Sequence, residues 1–154
     1  NEDDIKEIPI RPNIKVIIQN MKRGELVKLQ DQAHCFVFPS RGEGIGLPPI
    51  EMMARGIPTI VTNWSGMSEF AEMAIPINSF ARIEAHYDLP FDGSAGQWIE
   101  PNVHILKDTM FDVYKNYDRY KRQAVTMAHQ VKQKYSLEAQ AERFSEIVNK
   151  YVKP

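Results

Sequence analysis

Residues 38–51 read Phe38-Pro39-Ser40-Arg41-Gly42-Glu43-Gly44-Ile45-Gly46-Leu47-Pro48-Pro49-Ile50-Glu51. An apolar run ends at Pro39 and a glycine-rich loop follows it. A helix is predicted from Leu47 to Arg55, because prolines in the first turn of a helix sacrifice no hydrogen bond, and Gly56 is a typical helix stop. In open α/β sheets, ligands bind where a loop leaves the carboxyl end of a strand in this way. This stretch therefore predicts a fold class and the position of a site.

On both sides of this stretch, short apolar runs alternate with helical patterns. Strands are predicted over residues 14–18, 35–38 and 59–62, with an edge strand over 74–77 because proline is poorly tolerated in a central strand. Helices are predicted over residues 25–33 and 65–72. This alternation indicates βαβ units and a parallel sheet. The periodicity fails over residues 80–101, which predicts a long loop.

The rest of the chain is predicted to be helical. Helices are expected near residues 103–114 and 119–134, and a last helix is expected to begin at Ser136, a typical N-cap residue. The expected fold class is α/β, a partial Rossmann-like parallel sheet flanked by helices with a helical C-terminal tail. We expect residues 1–154 to form a single domain.

Composition limits the classes of partner. The chain has 154 residues, 43% of them hydrophobic, and a net charge of −1, which argues against nucleic acid or an anionic membrane as the main partner. No apolar run approaches the roughly 18 residues of a membrane helix, and the N-terminus lacks the features of a signal peptide. The single cysteine, Cys35, excludes an intrachain disulfide and is predicted to be buried and inert. We expect a cytoplasmic protein, membrane-peripheral at most.

The glycine-rich loop has a composition suited to ligand binding. Gly42, Gly44 and Gly46 allow a ligand to approach the backbone closely, and the amides at the helix start attract phosphate. The carboxylates of Glu43 and Glu51 can accept hydrogen bonds from adjacent hydroxyls of a sugar or ribose. An equally consistent interpretation treats both as solvated charges, because neither the dinucleotide fingerprint nor the lysine-containing phosphate loop is present.

The wider motif resembles a known family. The two glutamates, separated by seven residues within FVFPSRGEGIGLPPIEMMARGIPTIVTNWSGMSEF, resemble the signature of retaining GT-B glycosyltransferases of family 4, group 1. The resemblance covers roughly residues 14–152. It implies that residues 1–154 form a single nucleotide-sugar-binding domain, N-terminally truncated relative to the family. It implies the donor-binding part of an enzyme that transfers a sugar from a nucleotide sugar to a glycan or glycoconjugate, such as a cell-surface polysaccharide. The Asn63–Gly66 loop and Trp98–Pro101 resemble a mannosyltransferase-like branch.

The resemblance also implies roles for one set of donor-binding residues: Ser40, Glu43, Gly44, Ile45, Gly46, Leu47 and Glu51. Glu43 would be catalytic and would hold hydroxyls of the transferred sugar, helped by the amides of residues 44–46. Leu47 and its neighbours would bring amides to the diphosphate, and Glu51 would bind the ribose. Ser40 would touch the donor. Residues 19–22 would pass beside the base.

The same resemblance implies what the chain would lack. No metal or other cofactor is expected, and no Asp-x-Asp pair is present. The basic residues that assist departure of the diphosphate would precede Asn1, as would the acceptor-binding N-terminal domain, so we expect this chain alone to be inactive. Because its first strand would be an unpaired edge, we also expect the chain to self-associate or to be poorly stable. Arg41 and Lys22 are interpreted as solvated loop charges. The alternative function is a non-catalytic nucleotide or nucleotide-sugar binding module.

Overall fold

The computed structural model describes residues 11–85 and 96–152 and divides the chain into two compact units, Asn1–Asp31 and Gln32–Pro154. In the first unit, helix α1 (Arg23–Asp31) begins two residues before the predicted start. The strand predicted over residues 14–18 is wrong, since these residues belong to no helix or strand. Ile14, Val16, Ile17 and Ile18 are 39–57% exposed. β-branched residues favour a strand only where a neighbouring strand pairs with them.

The second unit contains a parallel sheet of three strands in the order β1-β2-β3. They are β1 (Phe36–Phe38), β2 (Thr59–Thr62) and β3 (Ile75–Ile77), with Val37 opposite Ile60 and Val61 opposite Pro76. The central strand β2 is buried throughout, as expected for a parallel strand covered on both faces. The strands predicted over residues 35–38, 59–62 and 74–77 are confirmed, and Pro76 lies on an edge strand, as expected.

Helices cover both faces of this sheet. They are α2 (Leu47–Ala54), α3 (Val103–Lys115) and α4 (Tyr117–Tyr135), and a last helix, α5 (Leu137–Tyr151), packs against α4. Two 3-10 helices, Ser65–Glu69 and Ala71–Met73, replace the single short helix predicted there. The Ser136 hydroxyl accepts a 3.1 Å hydrogen bond from the Ala139 amide, which confirms it as the N-cap of α5. Within residues 11–85 and 96–152, no helix combines the length and apolar character needed to cross a bilayer.

Alternate residues of β2 build two hydrophobic cores. Val61 packs with Ile50 and Met53 of α2 and with Val131 of α4. Its neighbour Ile60 faces the other way and packs with Ile77 and Val113, because successive side chains of a strand point to opposite faces. The resulting order of layers is helix, sheet, helix, which confirms the predicted α/β class.

The long loop predicted over residues 80–101 is partly wrong. An antiparallel pair of strands, β4 (Arg82–Glu84) and β5 (Gln97–Ile99), forms there, with Ile83 opposite Trp98. A strand of three residues is too short to show a recognisable alternation of apolar and polar residues, so its sequence looks like that of a loop. Residues 86–95, which connect the two strands, lie outside the described residues.

Candidate functional site

The loop between β1 and α2, residues 39–46, turns sharply at its end. Gly46 has φ +76° and serves as the N-cap of α2. This left-handed conformation favours glycine, and a Cβ built there would be crowded by Cγ of Met67 at 3.2 Å. The turn directs the loop across the carboxyl ends of the parallel strands, which is the usual ligand position in such sheets.

Glu43 lies in this loop and is held by a neighbouring hydroxyl. Oγ of Ser40 lies 2.8 Å from Oε1 of Glu43 and 3.2 Å from the Gly42 carbonyl oxygen. A hydroxyl has one proton, and the shorter distance and the charge of the carboxylate assign it to Glu43. The same oxygen accepts a 3.4 Å hydrogen bond from the Gly42 amide. The Ser40 side chain thus orients the Glu43 carboxylate and makes a longer, weaker contact with the Gly42 amide.

A second loop, residues 63–66 after β2, packs against the first. The Glu43 carbonyl oxygen accepts hydrogen bonds from the Ser65 hydroxyl at 2.8 Å and the Gly66 amide at 3.1 Å. A Cβ on Gly66 would lie 2.0 Å from the Gly44 carbonyl oxygen, so the two backbones are in direct contact. Glu43 is therefore fixed through its main chain by one loop and through its side chain by Ser40.

The β4–β5 hairpin forms a third side of the site. The Ile99 amide donates to the Arg41 carbonyl oxygen at 3.2 Å. The Arg41 guanidinium binds both oxygens of Glu100, at 2.7 Å through Nε and 3.1 Å through Nη2. Arg41, which we expected to be a solvated charge, is instead paired, although both side chains remain about half exposed. The main-chain bond and the two-pronged ion pair join the hairpin to loop 39–46.

These three segments enclose a polar cleft of about 330 Å³. It is lined by Gly42, Glu43, Gly44, Trp64, Ser65, Gln97 and Trp98. A volume at the low end of ligand sites suits one small polar group of a larger ligand. The only described acidic residue lining the cleft is Glu43.

The residues predicted from the sequence divide into three groups. Glu43 and Gly44 line the cleft, and Ser40 donates a hydrogen bond to the Glu43 carboxylate without lining the cleft itself. Ile45 and Leu47 are exposed beside it, whereas Gly46 is buried in the turn. Glu51 is exposed on α2 and does not line this cleft. The two glutamates therefore do not both line this cleft.

Four lining residues were not predicted as site residues. Trp64 and Trp98 belong to the two stretches, Asn63–Gly66 and Trp98–Pro101, that resemble a mannosyltransferase-like branch, but the sequence assigns neither of them a role. Ser65 lies in the first of these stretches without an expected role, and it acts through a hydrogen bond across 22 positions. Gln97 carries no signal in the sequence and enters the cleft through the hairpin. Their positions depend on tertiary contacts.

The start of α2 offers backbone donors next to the cleft. Within the described parts of the chain, the amides of residues 44–47 donate no hydrogen bond. Pro48 and Pro49 have no N–H group, so of the amides expected from Leu47 and its neighbours the last is that of Leu47 itself. The remaining amides lie at the positive end of the helix dipole, where an anion is favoured.

One comparison with known proteins identifies the family. The sequence model of the family described as "Glycosyl transferases group 1" matches residues 2–80, just over half of the chain. The matched region includes loop 39–46, both glutamates and loop 63–66, and ends before the β4–β5 hairpin. No curated protein matches the chain. The chain, with its parallel α/β sheet and its glycine-rich loop at the carboxyl edge, belongs to the group 1 glycosyltransferases.

Proposed function

We propose that this chain binds a nucleotide-sugar donor at loop 39–46 and is the donor-binding part of a retaining glycosyltransferase. The main support for this proposal is the position of the Glu43 carboxylate in a polar cleft. Its Oε1 accepts a 2.8 Å hydrogen bond from Oγ of Ser40. The start of α2, with its free backbone N–H groups, lies directly beside it. The carboxylate and the amides suit the two parts of a nucleotide sugar, the hydroxyl-bearing ring and the anionic diphosphate.

The chemistry divides along the loop. Glu43 accepts hydrogen bonds from hydroxyls of the transferred sugar, since one carboxylate offers about four lone-pair positions. The amides of residues 44–47 donate to oxygens of the diphosphate. Negative charge increases on this group as the bond to the sugar breaks, and fixed amides aimed at such a charge lower the barrier. Glu51, exposed one turn further along α2, binds the ribose outside the cleft.

The further assignments rest on the family resemblance. The transferred sugar is a hexose, with mannose favoured by the Trp98–Pro101 stretch, and the product retains the anomeric configuration. The acceptor is a glycan or glycoconjugate, bound mainly by an N-terminal domain of the complete protein. No metal ion or other cofactor is required, because the helix N-terminus takes over part of the charge of the diphosphate.

A second candidate function is a binding module without turnover. It is favoured by the position of Arg41, whose guanidinium is held by Glu100. Among the described residues that line the cleft there is no lysine or arginine. In this case the chain would bind the nucleotide sugar with the same residues and leave it intact. Product formation in the presence of demonstrated binding separates the two candidates.

Calorimetric titration with UDP-, GDP- and ADP-sugars tests the proposal. At least one should bind, and Glu43→Ala should weaken that binding about 10- to 100-fold, the scale of a lost hydrogen bond to a charged group. Glu142→Ala, which removes an exposed carboxylate from α5, is the matched control and should bind like the wild type. Equal affinities for the wild type and Glu43→Ala would contradict the assignment.

A further inference from the structure

Both tryptophans of the chain line the same cleft as Glu43. The chain has two tryptophans, Trp64 and Trp98, and both contribute to its walls. Each is half-buried, and the Arg82 guanidinium lies 5.3 Å from the centre of the Trp64 ring. The remaining lining residues are glycine or polar. The cleft thus combines indole surface with a carboxylate, a hydroxyl and an amide side chain.

Trp98 is placed directly against the donor loop. A Cβ on Gly42 would lie 3.3 Å from Cδ1 of Trp98, so the indole edge packs on the loop where a side chain would interfere. Trp98 lies opposite Ile83 in the hairpin, and its neighbour Ile99 is bonded to the Arg41 main chain. The Ile99 side chain is 2% exposed, which anchors this end of β5 in the interior. The indole is therefore set by fixed backbone on both sides.

Glu100, the residue after Ile99, strengthens this arrangement at the same end of β5. Its amide donates to the Ala81 carbonyl oxygen at 2.8 Å, and its own carbonyl oxygen accepts a 2.6 Å bond from the Ser79 hydroxyl. Its carboxylate holds Arg41 of the loop. The hairpin and loop 39–46 consequently form one wall, in which the distance from Trp98 to Glu43 is defined by main-chain contacts.

We propose that this hairpin selects the sugar of the donor, with Trp98 packing on the apolar C–H face of the sugar ring and Gln97 hydrogen-bonding one of its hydroxyls. A pyranose presents hydroxyls around its edge and C–H groups on its faces. An aromatic ring can pack on a C–H face with little loss of conformational entropy. Glu43 and Gln97 can form hydrogen bonds with the hydroxyls at the edge. This inference rests on the proposed donor-binding function and assigns specificity to residues outside the region matched by the family.

The test compares a nucleotide sugar with its own nucleoside diphosphate. The ligands are the tightest-binding member of a UDP-, GDP- and ADP-sugar panel and the corresponding diphosphate, each titrated calorimetrically into the full chain. Trp98→Ala should weaken the binding of the nucleotide sugar about tenfold. The affinity for the diphosphate should stay within a factor of about two of the wild-type value. Trp98→Phe should recover most of the affinity. Equal losses for both ligands, or no loss for either, would overturn the proposal.

Gln97→Ala keeps the proposal testable if Trp98→Ala does not fold, because Gln97 is exposed. It should change the order of affinities among epimeric sugars on the same nucleotide, and an unchanged order would count against the hairpin as the selecting element. In a Trp64→Phe background, Trp98 is the remaining tryptophan. Its fluorescence, excited at a wavelength that tyrosine does not absorb, should respond to the nucleotide sugar and not to the diphosphate. Failure of the wild type to bind any donor or diphosphate would instead refute the donor-binding function itself.

Discussion

The Ser40 hydroxyl donates a 2.8 Å hydrogen bond to Oε1 of Glu43 from three residues earlier in the same loop. The bond is partly buried and its acceptor is charged, which places it among the stronger hydrogen bonds of a protein. It restricts the rotamers of Glu43 before any ligand arrives, while most lone pairs of the carboxylate stay available. A site that is ordered in advance loses less entropy on binding.

Ser40→Ala should therefore weaken the binding of a nucleotide sugar about three- to tenfold, because Glu43 must then be ordered by the ligand itself. The affinity for the nucleoside diphosphate should stay the same, since the amides of residues 44–47 are unchanged. Calorimetry with both ligands measures the difference. Ser40→Thr keeps the hydroxyl and is the matched control. A parallel loss of diphosphate affinity would show that Ser40 holds the whole loop and not Glu43 alone.

Gly66→Ala should destabilise the second unit. The added Cβ would lie 2.0 Å from the Gly44 carbonyl oxygen, a backbone atom that cannot rotate away. Loops 39–46 and 63–66 must then separate, at a cost of about 1–3 kcal/mol in the free energy of unfolding, and the Gly66 bond to Glu43 is weakened. Urea denaturation followed by circular dichroism measures the change.

Gly44→Ala is the control in the facing loop. A Cβ at Gly44 meets no described atom within 4 Å, so its free energy of unfolding should stay within about 0.5 kcal/mol of the wild type. If both variants lose the same stability, the contact between the loops is not the reason. If Gly66→Ala is as stable as the wild type, the close approach of the two backbones is wrong.

Glu51→Ala should weaken nucleotide binding through the ribose. A carboxylate that accepts bonds from both ribose hydroxyls contributes about tenfold or more to affinity. Wild-type protein should bind a 2′-deoxynucleoside diphosphate less tightly than the ribonucleotide, and Glu51→Ala should bind the two equally. Calorimetric titration of both ligands into both proteins supplies the comparison. A preference for the ribonucleotide that survives in Glu51→Ala would contradict the assignment.

The sequence predicts those parts of the structure that depend on neighbouring residues. The three parallel strands are short apolar runs, and α2 is bounded by prolines and Gly56. The glutamate pair points to the loop at the end of β1. The hairpin was missed because its strands have three residues each and its attachment to the loop joins Arg41 to Glu100, 59 positions away. The strand predicted over residues 14–18 is wrong for a related reason. The strand propensity of these residues is local, whereas a strand also needs a partner strand, which propensity alone does not supply.

Cys35 extends this comparison to reactivity. The sequence predicts a buried, inert thiol, and in the structure the thiol is half-buried beside β1, where burial raises its pKa to about 11. The thiolate is the reactive form, so at pH 8 only about a thousandth of the folded protein carries it. Alkylation by iodoacetamide should therefore be slow, and its rate should increase about tenfold for each pH unit up to pH 10.

The denatured chain provides the reference for this prediction. In urea, Cys35 should react with the pH dependence of an ordinary cysteine, levelling off above about pH 9, whereas the native protein should show no plateau below pH 10. Cys35→Ser, which leaves no other thiol in the chain, should take up no label in either state. A plateau near pH 9 in the native protein would mean that the thiol is as solvated as in the unfolded chain, because only loss of solvation raises its pKa here.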